Sequence, residues 1–116
     1  MPTKRILSLA KRAALNSTTQ WKVGAVVYRG SRILGVGTND MVRTAPQSPH
    51  PYKTRHAEFN ALGDVEQAEW RSASIYVHRV GRDGKTHNSR PCQFCAKMLA
   101  LAELRRIEWS EDEVSQ

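Results

Sequence analysis

Apolar residues recur at helical spacing near the start of the chain: Ile6, Ala10 and Ala13, flanked by Leu7, Ala14 and Leu15, with Lys4, Arg5, Lys11 and Arg12 between them. That spacing predicts an amphipathic helix from about Thr3 to Leu15. The period then shortens. Val23 to Arg29 is apolar and β-branched, Arg32 to Gly37 is similar, and Gly30-Ser31 between them suits a two-residue type II′ turn, so a hairpin is expected. From Thr38 to Arg55 no period holds and Pro46, Pro49 and Pro51 intervene, which predicts a long irregular loop of the kind that often covers a binding site. Helical spacing resumes at His56 and runs to about Ala68, with Phe59, Leu62 and Val65 as the buried stripe and Gly63 as a weak point. Ser74 to Arg79 reads as a strand and Arg82-Asp83-Gly84-Lys85 as its turn. A helix from Cys92 to about Leu104 should bury Phe94, Met98, Leu99 and Leu101; Ile107-Glu108-Trp109 makes a short closing strand, and the acidic tail from Glu111 should fray.

The order is α-β-β-α-β-α-β, and its later part reads as βαβαβ with parallel strands and helical crossovers, an α/β fold. In such a sheet, helices begin beyond the carboxyl ends of the strands, the edge where ligands bind. The two later helices both begin in candidate chemistry. His56 with Glu58 opens one, and Cys92 with Cys95, preceded by Pro91, opens the other. The fold therefore predicts that the two groups meet at one edge, with two helix N-termini favouring thiolate over thiol.

Cys92 and Cys95 are the only cysteines in the chain, and as a pair they fit a disulfide, a redox dithiol or half of a metal site. The histidine and carboxylate decide between these. A catalytic zinc takes three nitrogen or sulfur ligands and leaves the fourth position to water, so His56, Cys92 and Cys95 make a complete open set. Glu58 is left over as a proton carrier beside that water. A closed structural zinc site would need a fourth ligand, for which His50, His78 and His87 are the candidates. His78 in a strand and His87 in a loop read instead as structural or solvated, and His50 as a loop residue within reach of substrate. Tyr52 fits either a stacking or an anchoring role, and Trp21, Trp70 and Trp109 read as packing or interface residues.

His56-Ala57-Glu58 and Pro91-Cys92-Gln93-Phe94-Cys95 together match the H-x-E…P-C-x-x-C signature of zinc-dependent deaminases. With Val23-Gly24-Ala25-Val26-Val27 and Gly37-Thr38-Asn39 they make the chain, from about Thr3 to Trp109, resemble the cytidine deaminase superfamily. The stretch from Pro51 to Glu58 is most similar to members of deoxycytidylate deaminase, phage or mobile-element type. The resemblance implies a three-layer cytidine-deaminase-like fold, a mixed sheet with helices on both faces, in one domain over residues 1–116. It also implies that His56, Cys92 and Cys95 hold Zn²⁺, that Glu58 shuttles the proton, and that water replaces the amino group at C4 of cytosine or C6 of adenine, releasing ammonia. Asn39 and the Ala57 backbone N–H match substrate-contacting positions. Most members continue beyond the position of Trp109 with a further helix and strand, so on this resemblance the fold is shortened at the C-terminus, and pocket walls supplied there are absent or come from a partner subunit.

Composition changes the picture in one respect. The 116 residues are 40% hydrophobic and 25% charged, ordinary for a globular domain, and no apolar run approaches the length of a membrane span or a signal region, so an intracellular, cytoplasmic protein with reduced thiols is expected. Charge, however, is uneven: residues 1–55 carry a net +9 and residues 56–116 a net −2. Part of that is a solvated helix face, but Arg43, Lys53 and Arg55 sit on the loop expected to cover the pocket, where Lys53 and Arg55 would meet a phosphate. The expected substrate is a free cytosine nucleotide such as dCMP, with single-stranded DNA or RNA as the alternative and a non-catalytic zinc-stabilised nucleic-acid-binding module as the reading from another class. An exposed closing strand further predicts a homo-oligomer.

Overall fold

The first helix, α1, spans Lys4–Leu15 in the computed structural model, which describes residues 2–17, 22–43, 52–91 and 93–112. Thr3 stands just ahead of it in extended conformation, and its hydroxyl accepts from the Ile6 N–H at 3.3 Å, satisfying one of the donors a helix start leaves unpaired. Ile6, Ala10, Ala13 and Ala14 form its buried face. Strands β1 (Lys22–Arg29) and β2 (Arg32–Thr38) follow as the expected antiparallel hairpin. Gly30 takes φ +60° at the turn, the sign a type II′ turn requires at its first central position. The register shifts between Val27 and Tyr28, a bulge that the sequence pattern did not reveal.

The segment expected to be an irregular loop contains a second ribbon. Strands β3 (Asp40–Arg43) and β4 (Tyr52–Arg55) pair antiparallel, with Asp40 opposite Arg55 and Val42 opposite Lys53. Pro46, Pro49 and Pro51 all fall between the two strands in the sequence, among residues 44–51, which, His50 included, lie outside the described residues.

Helix α2 (Ala57–Gly63) is shorter than the spacing predicts. It stops at Gly63, the weak point, and after a turn the chain continues as a 3₁₀ helix, Gln67–Ser72. Its buried face is Ala57, Glu58, Ala61 and Leu62, continued by Val65, while Phe59 is 55% exposed and does not belong to the stripe. Strands β5 (Ser74–Val80) and β6 (Thr86–His87) form a short hairpin, then helix α3 spans Gln93–Leu101 and β7 spans Arg106–Trp109. Within α3, Cys95 and Leu99 are buried and Met98 is half-buried; Leu101, expected inside, is 85% exposed because the inward row runs through 95, 99 and 102.

β1 lies between β2 and β5 and is antiparallel to both, while β7 pairs parallel with β5. β2, β5 and β7 therefore run in one direction, as the βαβαβ reading requires, although β1 separates the first two. α1 covers one face, against Val26, Tyr28 and Tyr76. α2 and α3 cover the other, against Ala25, Val27, Ile75 and Val77. This is the expected α/β architecture, a mixed sheet between helical layers. Among the described residues no helix is long and apolar enough to cross a membrane.

Two glycines of β2 set how closely α2 lies on the sheet. A Cβ on Gly37 would collide with the Ala57 carbonyl oxygen and the Ala61 nitrogen, and one on Gly35 with the Ala61 carbonyl oxygen. The helix that begins at the candidate chemistry thus rests directly on bare backbone.

Candidate metal centre

His56 occupies the position just before α2, with extended backbone (φ −73°, ψ 145°), and its side chain makes no cap bond to its own helix. The imidazole is instead directed across the edge to α3, where its Nδ1 stands 3.1 Å from Cys95 Sγ. Glu58, the second residue of α2, is only 4% exposed. One donor atom from each of His56, Glu58 and Cys95 falls within 4.8 Å of the others. The three residues come from two crossovers separated by 39 positions in the case of His56 and Cys95, and they meet where both helices start, at the carboxyl edge of β2 and β5.

Local hydrogen bonds explain the placement. Asn60 donates from Nδ2 to the Thr38 carbonyl at 2.7 Å, tying the first turn of α2 to the end of β2. On the other side a buried hydroxyl pair fixes the approach to α3. Ser89 donates to the Val77 carbonyl at 2.6 Å and lies 2.8 Å from the Ser110 hydroxyl, which in turn donates to the His87 carbonyl at 2.7 Å. The Ser110 N–H donates to the Ser89 oxygen at 3.0 Å. The segment leading to Pro91 and Cys92 is thereby held to the ends of β5 and β7. Sequence reasoning missed both serines and assigned no role to Asn60; an isolated serine carries no periodic signal, so nothing in the pattern marks this pair.

The donor set suits a cation of zinc's type. A nitrogen and a sulfur already converge, and among the described residues the nearly buried Glu58 carboxylate has no hydrogen-bond or ion-pair partner, a placement that a nearby positive charge would compensate. Cys92 lies outside the described residues, immediately before Gln93 at the start of α3. Ala57 is fully buried. Asn39 is 5% exposed at the same edge, following β2; its Oδ1 accepts from the Val23 N–H at 3.0 Å and its carbonyl from the Ser17 hydroxyl at 3.0 Å. Its oxygens therefore serve the fold. Lys53 and Arg55 are placed on β4 by the ribbon's register, which leads directly into His56, and their side chains lie outside the description.

The other described histidines, His78 and His87, do not join the group. His78 is buried between the Tyr76 hydroxyl on Nδ1 and the Thr86 hydroxyl on Nε2, both at 3.2 Å. His87 pairs with Asp83 at 3.0 Å and lies 3.5 Å from Asp112, and this imidazole, with the Lys85 N–H, holds the Asp83 carboxyl below its usual range. Trp70 donates to the Val65 carbonyl at 3.1 Å, and Trp109 packs on the core with the Arg90 guanidinium 6.0 Å from its ring, so both act in packing.

Comparison with known proteins agrees with this geometry. No curated protein matches the chain in sequence. Among solved structures, cytidine deaminase from Burkholderia pseudomallei superposes with a TM-score of 0.63 at 20% identity, over 89% of this chain and 79% of that one. The dCMP deaminase of cyanophage S-TIM5, solved with dCMP and dUMP, gives 0.53 at 23% identity, over 94% and 83%. Guanine deaminase from Bacillus subtilis gives 0.61 at 17%, over 96% and 65%. RibD from Acinetobacter baumannii gives 0.51 at 23%, and this chain spans about a quarter (26%) of its length. At these identities the likeness is one of fold, a cytidine-deaminase-like fold. The family model for the zinc-binding region of cytidine and deoxycytidylate deaminases matches residues 2–111. Zn²⁺ is the cofactor of that region, and the His-Glu-Cys group is positioned to bind a metal. On that match, which spans nearly the whole sequence and includes both halves of the metal centre, the chain belongs to the cytidine and deoxycytidylate deaminase family.

Proposed function

We propose that the protein is a zinc-dependent hydrolytic deaminase that converts a cytosine base to uracil on a free nucleotide such as dCMP. The observation that carries this reading is the convergence of His56 and Cys95, 3.1 Å apart, with a nearly buried carboxylate at the start of the same helix. In this reading His56, Cys92 and Cys95 are the three ligands and Glu58 is not one. Zn²⁺ held there supplies a water that is nucleophilic at neutral pH. Glu58 takes a proton from the attacking water, delivers it to N3 of the ring and then moves a second proton to the departing amino nitrogen, so that water and cytosine become uracil and ammonia. A carboxylate shielded from solvent suits this task because its proton is not lost to bulk water between the two transfers.

Asn39 and the Ala57 N–H, both at the edge, are proposed to position the base, and Lys53 and Arg55, on the strand that leads into His56, to meet its phosphate. The net +9 of residues 1–55 supports an anionic substrate; single-stranded nucleic acid is the second reading on the same observation. We further propose a homo-oligomer. β7 has no strand on its outer side among the described residues, and an apolar cavity of about 170 Å³ lined by Pro91, Leu99, Ile107 and Trp109 adjoins it. Thiolate ligands favour a reducing, cytoplasmic setting.

The test is ammonia release from cytidine, deoxycytidine, their monophosphates, adenosine and single-stranded oligonucleotides by the zinc-loaded protein. Turnover of the deoxycytidine or cytidine monophosphate well above the nucleoside is expected. Deamination of oligonucleotides alone would reverse the order of the two readings, and no turnover of any cytosine or adenine compound would remove the enzymatic one.

A further inference from the structure

At the opposite edge of the sheet from the metal centre, a cavity of about 200 Å³ is lined by Tyr28, Gly30, Ser72, Ser74, Arg105 and Arg106. Its placement follows from the topology. Tyr28 lies at the end of β1, Ser74 begins β5 and Arg106 begins β7, and the register puts Ser74 opposite both of the others. Three strands therefore present neighbouring side chains at the amino edge of the parallel set, while His56 and Cys95 lie at the carboxyl edge.

The charge around this cavity is unbalanced in a specific way. Three carboxylates stand at or near its rim, and each already has a donor: Glu69 pairs with Arg29 at 3.7 Å, Glu103 with Arg71 at 2.8 Å, and Glu108 accepts from the Tyr28 hydroxyl at 3.1 Å. Arg105 and Arg106 have no acidic partner among the described residues. Two consecutive arginines thus line a cavity with three hydroxyl-bearing residues, and neither forms an ion pair among the described residues. The Tyr28 phenol stays protonated at neutral pH, since burial first and the Glu108 carboxylate second push its pKa up to about 12, and its O–H is committed to Glu108. Gly30, at φ +60°, has nothing within 4 Å of where a Cβ would stand, so backbone and open space face each other at the turn.

Arginine forks at a small polar hollow are recognition chemistry for phosphate. Size narrows the choice: about 200 Å³ falls below the roughly 300 Å³ at which sites for whole drug-sized ligands begin, so the hollow fits a head group with the rest of the ligand outside. We propose that this cavity is a second ligand site, separate from the metal centre, that takes the phosphate group of a small phosphorylated molecule through Arg105 and Arg106. A solvated arginine pair is the ordinary alternative, and it differs in one respect: it binds no anion saturably. The proposal does not depend on the substrate assigned to the metal centre.

The experiment uses the full-length, zinc-loaded protein and titrates inorganic phosphate, then a nucleoside monophosphate, by calorimetry at constant ionic strength, with chloride as the control anion. Saturable phosphate binding is expected in the wild type and in Glu58→Ala, and Arg105→Ala/Arg106→Ala should weaken it about tenfold or more, the loss of roughly 1.4 kcal/mol or more. The same double variant should keep the wild-type kcat and KM for deamination at low phosphate, because neither arginine lies at the catalytic edge. If the double variant folds poorly, Ser72→Asp places a carboxylate at the rim and should repel the anion to a similar extent. Equal phosphate affinity in wild type and double variant overturns the proposal, as does a response no larger than that to chloride. Binding of single-stranded oligonucleotide that depends on these arginines and falls steeply with salt, without saturable phosphate binding, overturns it in favour of a polynucleotide surface.

Discussion

Replacing Gly37 by alanine should couple a fold defect to a catalytic one. The new methyl would stand 2.9 Å from Ala61 Cα and closer still to the Ala57 carbonyl oxygen and the Ala61 nitrogen, whereas ordinary contact begins near 3.4 Å. All three atoms are backbone, so no side chain can rotate away. Helix α2 must retreat from β2 by about 1 Å, and overpacking of this kind costs about 1–3 kcal/mol, a loss on the order of 10 °C in Tm at the upper end for a domain of this size. His56 and Glu58 sit on the first turn of that helix, directly over Gly37, and a displacement of about 1 Å at reacting groups can lower turnover by about a hundredfold. Gly63→Ala is the matched control. It lies on the last turn of the same helix with nothing within 4 Å of its Cβ position, and it should stabilise the protein by about 0.5–1 kcal/mol with kcat unchanged. Thermal unfolding of the zinc-loaded variants, zinc analysis and ammonia release give the three readouts. A Gly37→Ala protein with wild-type Tm and turnover would refute the close seating of α2, and loss of Tm without loss of turnover would show that the helix moves without carrying the site with it.

Glu58→Ala should retain one zinc per chain and lose turnover by at least about a thousandfold, as removal of a general acid–base group does; zinc loss on elemental analysis would instead make Glu58 a ligand. Cys95→Ser and Cys92→Ser should each lose zinc and Tm together, because the ligands come from two separate helices and metal binding joins them; unchanged zinc content in either would defeat the ligand assignment. Charge reversal at Lys53 and Arg55 should raise KM for the monophosphate by about tenfold or more while leaving the nucleoside nearly unaffected, and equal effects on both would remove the phosphate role. Tyr28 has a pKa raised from 10.0 to about 12 in the folded protein, so the fold holds that proton more tightly than the unfolded chain does; the contribution is fully present below pH 10 and is lost as pH climbs toward 12. Tm plotted from pH 9 to 12 should therefore fall more steeply for the wild type than for Tyr28→Phe, and parallel curves would contradict it.

What the sequence made legible was what repeats or what has a fixed chemical grammar. The α1 stripe, the β1–β2 hairpin with its Gly30 turn, and the His-x-Glu and Pro-Cys-x-x-Cys motifs each depend on short-range spacing, and the topology rule carried the two motifs to one edge. The misses depend on contacts between distant segments. Phe59 and Leu101 have the hydrophobicity of core residues, but which row of α2 and α3 faces inward is decided by the sheet beneath, through Gly35 and Gly37 for α2 and through the 95, 99, 102 row for α3. The β3–β4 ribbon, a sheet separate from the main one, is only four residues a side, too short for a strand period to stand out in the sequence. Ser89 and Ser110, 21 residues apart, look like loop serines until the chain brings them within 2.8 Å. The same distinction separates the two halves of the metal centre. Chemistry fixed which residue types could hold a metal, but only packing could orient them: glycine backbone and Asn60 seat the His56–Glu58 turn, and a buried hydroxyl pair seats the segment that delivers the cysteines. A variant that keeps every motif residue and loosens either seat should therefore keep the family's signature and lose its function.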